Sequence, residues 1–365
     1  MARTQILNRY LYKEILLTFM AVVLVLMLIF VSGMLVSLLG EVVRGHLQLG
    51  VVLQSLGLNI ISNLVFVLPL SFYIAILLSF SRLYKDNEMV VMTACGISQG
   101  RILSTVLKLA VVFAIGVGWL SLYLAPWAES QITVLTKQYQ QKGDIEGLSS
   151  GRFKELTKGE GVVYVQEFDK DALKLQRVFM QYRLPENNAI LSADSGYRLM
   201  RKDSGDRFLV LENGFRYDGP TKNGQTRVIE FEHHGVRIVD QPLGKIEFRQ
   251  IAVPSMELYL RGRGVDHAEL QWRISAVILC FILSMLAIPL SKTSPRQGRY
   301  SKLALALLIY IIYTNLLNVS RAWLNKDSVS PWVGMWWVHV LILLLAIMLY
   351  VRWKPLLSKF WFGKK

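Results

Sequence analysis

Long uncharged runs separated by basic loops open and close the chain, and between them lies a stretch of short strand-like segments. Residues 15–40 and 47–81 carry no charge, and 102–127 holds only Lys108, close enough to one end to reach the membrane surface. After the middle stretch, 274–291, 303–320 and 332–351 are again apolar. A bilayer needs about 20 predominantly apolar residues per helical span. The pattern therefore predicts three transmembrane helices, an inserted domain, and three more. Residues 47–81 are long enough for a loop plus a helix kinked near Pro69. Residues 3–14 put Ile6, Leu7, Tyr10 and Leu11 on one face and Arg3, Arg9 and Lys13 off it. That reads equally as an interfacial helix or as a plain extension of the first span.

In the middle stretch, 161–168, 177–184, 190–200, 207–212, 214–217, 227–233 and 245–253 are rich in Val, Ile, Phe and Tyr. Asn213-Gly214, Asp218-Gly219-Pro220 and Asn223-Gly224 are turn signals between them. Many short strands at this spacing favour a sandwich or jelly roll. The polar run 131–141 reads as helix or linker. The expected architecture is an α-helical membrane protein of six spans (3 + 3) with an inserted all-β, jelly-roll-like domain. Residues 1–127 carry the first three spans, 128–270 the β domain, and 271–365 the last three spans and a basic tail.

Charge adds orientation. Five of the 26 acidic residues and 20 of the 41 basic ones lie outside 127–270, so that segment holds 21 of each and is neutral. The whole formal excess of +15 sits on the membrane parts. A basic balance of that origin speaks of membrane topology and not of nucleic acid. Arg3, Arg9 and Lys13, then Arg82, Lys85 and Arg101, then Lys292, Arg296, Arg299 and Lys302, then the tail all fall on one side of a six-span path. The positive-inside rule makes that side cytosolic, with both termini in it and the β domain across the membrane.

Catalytic signatures are missing from the sequence. It has no GxxxxGK[ST] loop, HExxH or CxxC and no GxSxG or GxGxxG set in the right context, and its two cysteines, Cys95 and Cys280, lie outside the middle segment. His233 and His234 are neighbours on a strand, where side chains point to opposite faces, so they make a poor metal pair. No chain of embedded acids and histidines offers a proton relay, and His339 is expected to hydrogen-bond a neighbouring helix.

Three features carry information. Between the second and third spans, Asp86 or Asn87 can cap a short helix that Gly96 ends, with Glu88 in its first turn and Met89 and Met92 as an adaptable apolar contact. Such a helix suits docking into a groove of another protein, or lies on lipid. In the fifth span, Tyr310, Thr314, Asn318 and Arg321 form one stripe. They line a polar substrate path or bond to neighbouring helices. Small residues recur as Gly33 and Ser37 in the first span and as Ala110, Ala114 and Gly118 in the third, which permits close helix packing within the chain or with another subunit.

Leu83, Tyr84, Glu88, Val91, Met92 and the run Ala94-Cys95-Gly96-Ile97-Ser98 resemble the cytosolic coupling segment of the lipopolysaccharide-export permease family, LptF and LptG. Glu269-Leu270-x-Trp272-Arg273, Pro295-Arg296-Gln297-Gly298-Arg299 and Ala193-Asp194-Ser195-Gly196 also match, in order along nearly the whole chain. The Pro-Arg-Gln-Gly-Arg segment is more similar to the F than to the G subunit, although both share this layout. The resemblance implies a non-catalytic permease subunit without a cofactor, in the bacterial inner membrane. It implies an LptG-like partner subunit and a dimeric cytosolic ATPase that supplies the energy. It also implies lipopolysaccharide as the cargo and a periplasmic jelly-roll bridge protein as its acceptor. ATPase coupling would fall on Tyr84, Asp86, Glu88, Met89 and Met92, with Glu88 meeting a basic groove. The first and fifth spans would line the lipid cavity. Against this stand a permease of another ATP-driven lipid or lipoprotein machine, and a membrane-anchored scaffold that transports nothing.

Overall fold

A computed structural model describes residues 2–43, 49–146, 151–155, 161–169, 174–183, 188–200, 207–219, 226–238, 248–292 and 302–353. The basic segment 293–301 and the tail from 354 lie outside the described residues. Contacts divide the chain into two units: residues 1–33, 57–132 and 248–365 form one, and 34–56 with 133–247 form the other.

The elements of the first unit follow the apolar runs, but their ends go further. The helix α1 (Ala2–Val43) is continuous, so residues 3–14 extend the first span. It is followed by α2 (Leu49–Lys85), which takes Pro69 into its interior, and by the short α3 (Glu88–Ala94). The third span, α4 (Gln99–Trp119), passes through a π-helical turn, Leu120–Leu124, into α5 (Ala125–Glu146), so the polar run 131–141 is helix. Beyond the β domain come a 3-10 turn (Gln250–Ala252), α6 (Ser255–Arg261), α7 (Gly264–Leu290), α8 (Leu303–Asn325) and α9 (Trp336–Trp353). Among the described residues, five helices are long and apolar enough to cross a membrane, and a sixth, shorter apolar helix covers Trp336–Arg352.

Small residues let these helices approach. Ala110, Ala114 and Gly118 are buried on α4, and a β-carbon on Gly118 would meet Val277 of α7 at 3.3 Å. That half of the small-residue pattern is spent inside the chain. Gly33 has open space around it and, like Ser37, is exposed. The main core takes Leu11, Ile15 and Phe19 from α1, Phe72, Tyr73, Ile76 and Phe80 from α2, and residues of α4, α7, α8 and α9.

The second unit carries one antiparallel sheet of six strands: β1 (Arg152–Glu155), β2 (Gly161–Asp169), β3 (Lys174–Arg183), β4 (Asn188–Met200), β5 (Arg207–Asp218) and β6 (Arg227–Ile238). Each strand pairs with its neighbours in sequence. Two expectations need correction. Asn213-Gly214 is not a turn between two strands but the middle of β5. Residues 248–253 are not strand but enclose the 3-10 turn before Pro254, and the rest of the proposed seventh strand, 245–247, lies outside the described residues.

Why Asn-Gly sits inside a strand follows from burial. Inward-facing residues are Val178 and Met180 on one part of β3 but Leu175 on the other. On β4 they are Leu191 and Ala193, then Gly196, and on β5 Leu209 and Leu211, then Gly214. Alternation slips by one residue in each strand. The slip falls on Arg177, Asp194 and Asn213, with Gln166 of β2 and Glu232 of β6 in the same row. The register pairs residues on both sides of that row and leaves the row itself out of the pairing. All five are polar and exposed, and Arg177 and Asn213 have φ of 50° and 49°. Because β2 to β6 all slip at the same place, pairing stays in register while both halves of the sheet turn their apolar side chains to one interior. The sheet is thereby creased and closes on a core of Val163, Val165, Val178, Leu191, Leu209 and Leu211, among others. The jelly-roll-like insert is a folded meander.

Candidate functional site

At one end of the helical bundle, α3 is set by the turn before it. Asn87 takes the left-handed conformation, with φ of 60°, and reverses the chain after α2. Gly96, with φ of +83°, closes the far end, its amide donating to the carbonyl of Thr93. Met89 is 2% exposed and belongs to the core, Met92 packs against that core, and Tyr84 is half-buried beside it. The apolar face that α3 offers outward is Val90 and Val91, 57% and 60% exposed. The two methionines therefore root the helix.

Glu88 accepts a 2.6 Å hydrogen bond from the Tyr10 hydroxyl of α1. Arg82 of α2 lies 2.9 Å from Glu14 of α1 and 4.0 Å from Asp86. On the other flank, the Thr105 hydroxyl of α4 donates to Asn8 at 3.0 Å. The start of α1 is thus bound to α2, α3 and α4 through polar contacts. Tyr10 was not singled out in the sequence, where it counts as one more apolar residue of the first helical turns.

At the other end of α4 the structure assembles a buried ion triad. Glu269 and Arg273, one turn apart on α7, pair at 3.1 Å, and Arg321 of α8 binds the second carboxylate oxygen of Glu269. Glu269 and Arg273 are 2% and 3% exposed. The Arg273 guanidinium also donates to Ser255 at 2.7 Å and to the carbonyls of Gln250 and Ile251, both at 3.1 Å. The Ser255 hydroxyl donates to the Leu122 carbonyl at 2.6 Å, and that of Ser121 to the Arg273 carbonyl at 3.1 Å, both from the π-helical turn. One arginine thus joins α4, the 3-10 turn, α6 and α7. Arg321 in addition stacks over Trp272, 4.7 Å from its ring centre. A Glu-x-x-x-Arg pair immediately before an apolar run was the available signal for this triad, since charges at the edge of a span need a partner.

The remaining residues of the α8 stripe do not converge on a polar centre. Tyr310 is half-buried against the core, the Thr314 hydroxyl folds back onto the Tyr310 and Ile311 carbonyls, and Asn318 is exposed. The buried polar contact between helices is instead His339 of α9, 2.8 Å from the Ser275 hydroxyl and 2.6 Å from the Tyr313 hydroxyl. Ser275 donates to the Gln271 carbonyl, so it accepts from Nε2–H of His339, whose Nδ1 accepts from Tyr313. Among the described residues no three His, Cys, Asp or Glu side chains gather as a metal site.

Helices of membrane-crossing length with an antiparallel β insert define a multi-pass membrane protein. Its residues 9–352 match the family model described as lipopolysaccharide export system permease LptF/LptG, and the chain belongs to that family. It is similar to the lipopolysaccharide export system permease protein LptF of Escherichia coli strain K12, with 29% identity over 347 residues and 94% of each chain covered. The protein of the same name from Shigella flexneri is similar to the same extent. The chain is thus a permease component of the lipopolysaccharide export class, in keeping with its several apolar spans and antiparallel β insert.

Proposed function

We propose that the chain is an LptF-like subunit that works with an LptG-like subunit and a dimeric cytosolic ATPase to lift lipopolysaccharide out of the inner membrane. Its β domain passes the lipid to a periplasmic jelly-roll bridge protein. The observation that carries this reading is α3: a helix rooted in the core through Met89, with Val90 and Val91 turned outward. That is the form of a helix seated in a partner's groove.

In this scheme the α3 end of the bundle is cytosolic, as the basic loops require. Movement of the ATPase groove displaces α3. The buried Met89 and the Glu88–Tyr10 bond carry the displacement into α1, α2 and α4 as rigid bodies. The exposed face of α1, with Gly33 and Ser37, and the margin of α8 bearing Tyr310, Thr314 and Asn318 line the lipid path. Arg321, held by Glu269, braces that wall. Inside the creased sheet an apolar interior shelters acyl chains while phosphates stay in water.

The test is a detergent pull-down of the full chain from its native background, with co-purifying proteins and lipids identified by mass spectrometry. Recovery of a small cytosolic ATPase, a second six-span protein and lipopolysaccharide is expected. An ATPase with a different lipid would move the chain to another export machine. Absence of both from a well-folded sample would leave a scaffold.

A further inference from the structure

The seven residues of α6 sort onto three faces. At about 100° per residue, Met256, Tyr259 and Leu260 share one side, Glu257 and Arg261 a second, and Leu258 and Ser255 a third. The third side is anchored: Leu258 is fully buried, and Ser255 holds the Leu122 carbonyl and is held by Arg273. The second side is a solvated ion pair, Arg261 with Glu257. The first side is apolar and bare, with Met256, Tyr259 and Leu260 68%, 67% and 73% exposed.

We propose that this bare face of α6 lies in the interfacial layer of the membrane leaflet at the C-terminal end of α4, and that its occupant is lipid. Its height argues for this. The hydrogen bond from Ser255 to Leu122 places α6 beside the end of α4, where a stripe of exposed Val112, Ile115, Trp119 and Tyr123 comes up one side of that helix. The Ser255 bond thus tethers α6, with its bare face, beside the aromatic end of this stripe, and Tyr123 and Tyr259 are residues that favour the headgroup boundary. Arg261 in the last turn of α6 and Arg263 at the start of α7 are exposed side chains that would meet lipid phosphates there. Gly262, with φ of +64°, then turns the chain from a helix lying along the surface into one that crosses it. Since Arg273 fixes both α6 and the 3-10 turn, the membrane surface sets the height of both. The proposal rests on the chain spanning a membrane and not on what it exports.

Collision accessibility of spin labels tests it. The full chain, with Cys95→Ser and Cys280→Ala, would carry single labels at Met256→Cys, Glu257→Cys, Leu260→Cys or Arg261→Cys in nanodiscs of phosphatidylethanolamine and phosphatidylglycerol. The oxygen-to-nickel-chelate accessibility ratio is expected to be severalfold higher at 256 and 260 than at 257 and 261. Easy access of the chelate to 256 and 260 would overturn the proposal in favour of a water-exposed face. Protection of 256 and 260 from both reagents would overturn it in favour of a face seated on protein. Labels at 257 and 261 check the fold, because a disordered segment would give no contrast between the two pairs, and that result too would refute an ordered interfacial helix.

Discussion

Removing one carboxylate from the buried triad should do more harm than removing one of its two arginines. In Glu269→Gln the Arg273 guanidinium keeps Ser255 and two backbone carbonyls but loses its counter-charge, and it is only 3% exposed. Breaking a buried pair from one side costs about 3–5 kcal/mol, because the other charge is left uncompensated. The retained hydrogen bonds favour the lower end, about 3 kcal/mol. In Arg321→Met, Glu269 keeps Arg273, and the lost side chain was 26% exposed, so its pairing was partly screened by solvent. With the stacking on Trp272 included, about 1 kcal/mol is expected. At roughly 2–4 °C per kcal/mol, Glu269→Gln should lower the midpoint of thermal unfolding by about 6–12 °C and Arg321→Met by about 2–4 °C. The assay is loss of the monodisperse gel-filtration peak after heating the detergent-solubilised chain. The double variant should fall short of the sum, since both changes remove the same bond. An Arg321→Met loss equal to or larger than that of Glu269→Gln would refute the reasoning. It would mean that the triad's weight rests on the exposed arginine and not on the buried charge.

Other outcomes follow from the same structure. On the proposed coupling of Glu88 to a basic groove, Glu88→Lys should weaken co-purification of the ATPase by like-charge conflict; normal recovery would remove the coupling role. Val91→Asp should weaken the same association with the fold intact by circular dichroism, whereas Met89→Asp should reduce folded protein, as Met89 is core. Gly214→Ala should destabilise the β domain by about 1–3 kcal/mol in limited proteolysis. Its β-carbon would run into the Ser192 carbonyl oxygen and stand 2.8 Å from Phe231, and unchanged protease resistance would contradict the close approach. His234 is held below the ordinary histidine range by burial first and the nearby Arg216 charge second. The unfolded chain therefore binds its proton first, and β-domain stability should fall as pH drops below about 6.5. His234→Gln should flatten that fall, and an unaltered profile would exclude the histidine as its source.

The spans were legible because a bilayer imposes a length and a composition that no tertiary contact can override. Their ends were not: nothing in composition separates the start of α1 from an interfacial helix, or marks the π turn that carries α4 into α5. On α3 the sequence holds two apolar sides, Met89 with Met92 and Val90 with Val91. Periodicity cannot say which turns inward, and the one assigned to the partner is the one that is buried. For the α8 stripe, spacing placed Tyr310, Thr314, Asn318 and Arg321 together, but Thr314 satisfies itself on its own helix and Arg321 on α7. The Asn213-Gly214 signal was read for its most common use. The backbone does take the positive φ that such a pair favours, but to bend a strand and not to reverse it.

The shared crease also governs how this domain can change length over evolutionary time. An insertion at a hairpin tip adds residues beyond the last pair and leaves the interior alone. One residue deleted between Asn213 and either end of β5 turns that half of the strand inside out, exchanging Leu209 and Leu211, or Gly214, for the residues beside them. Neighbouring strands cannot absorb the change, because their own slips remain where they were. The row from Gln166 to Glu232 thus behaves as one inherited unit: gaps among relatives should cluster at the tips of the sheet, and the five strands should keep a common count on either side of the fold line.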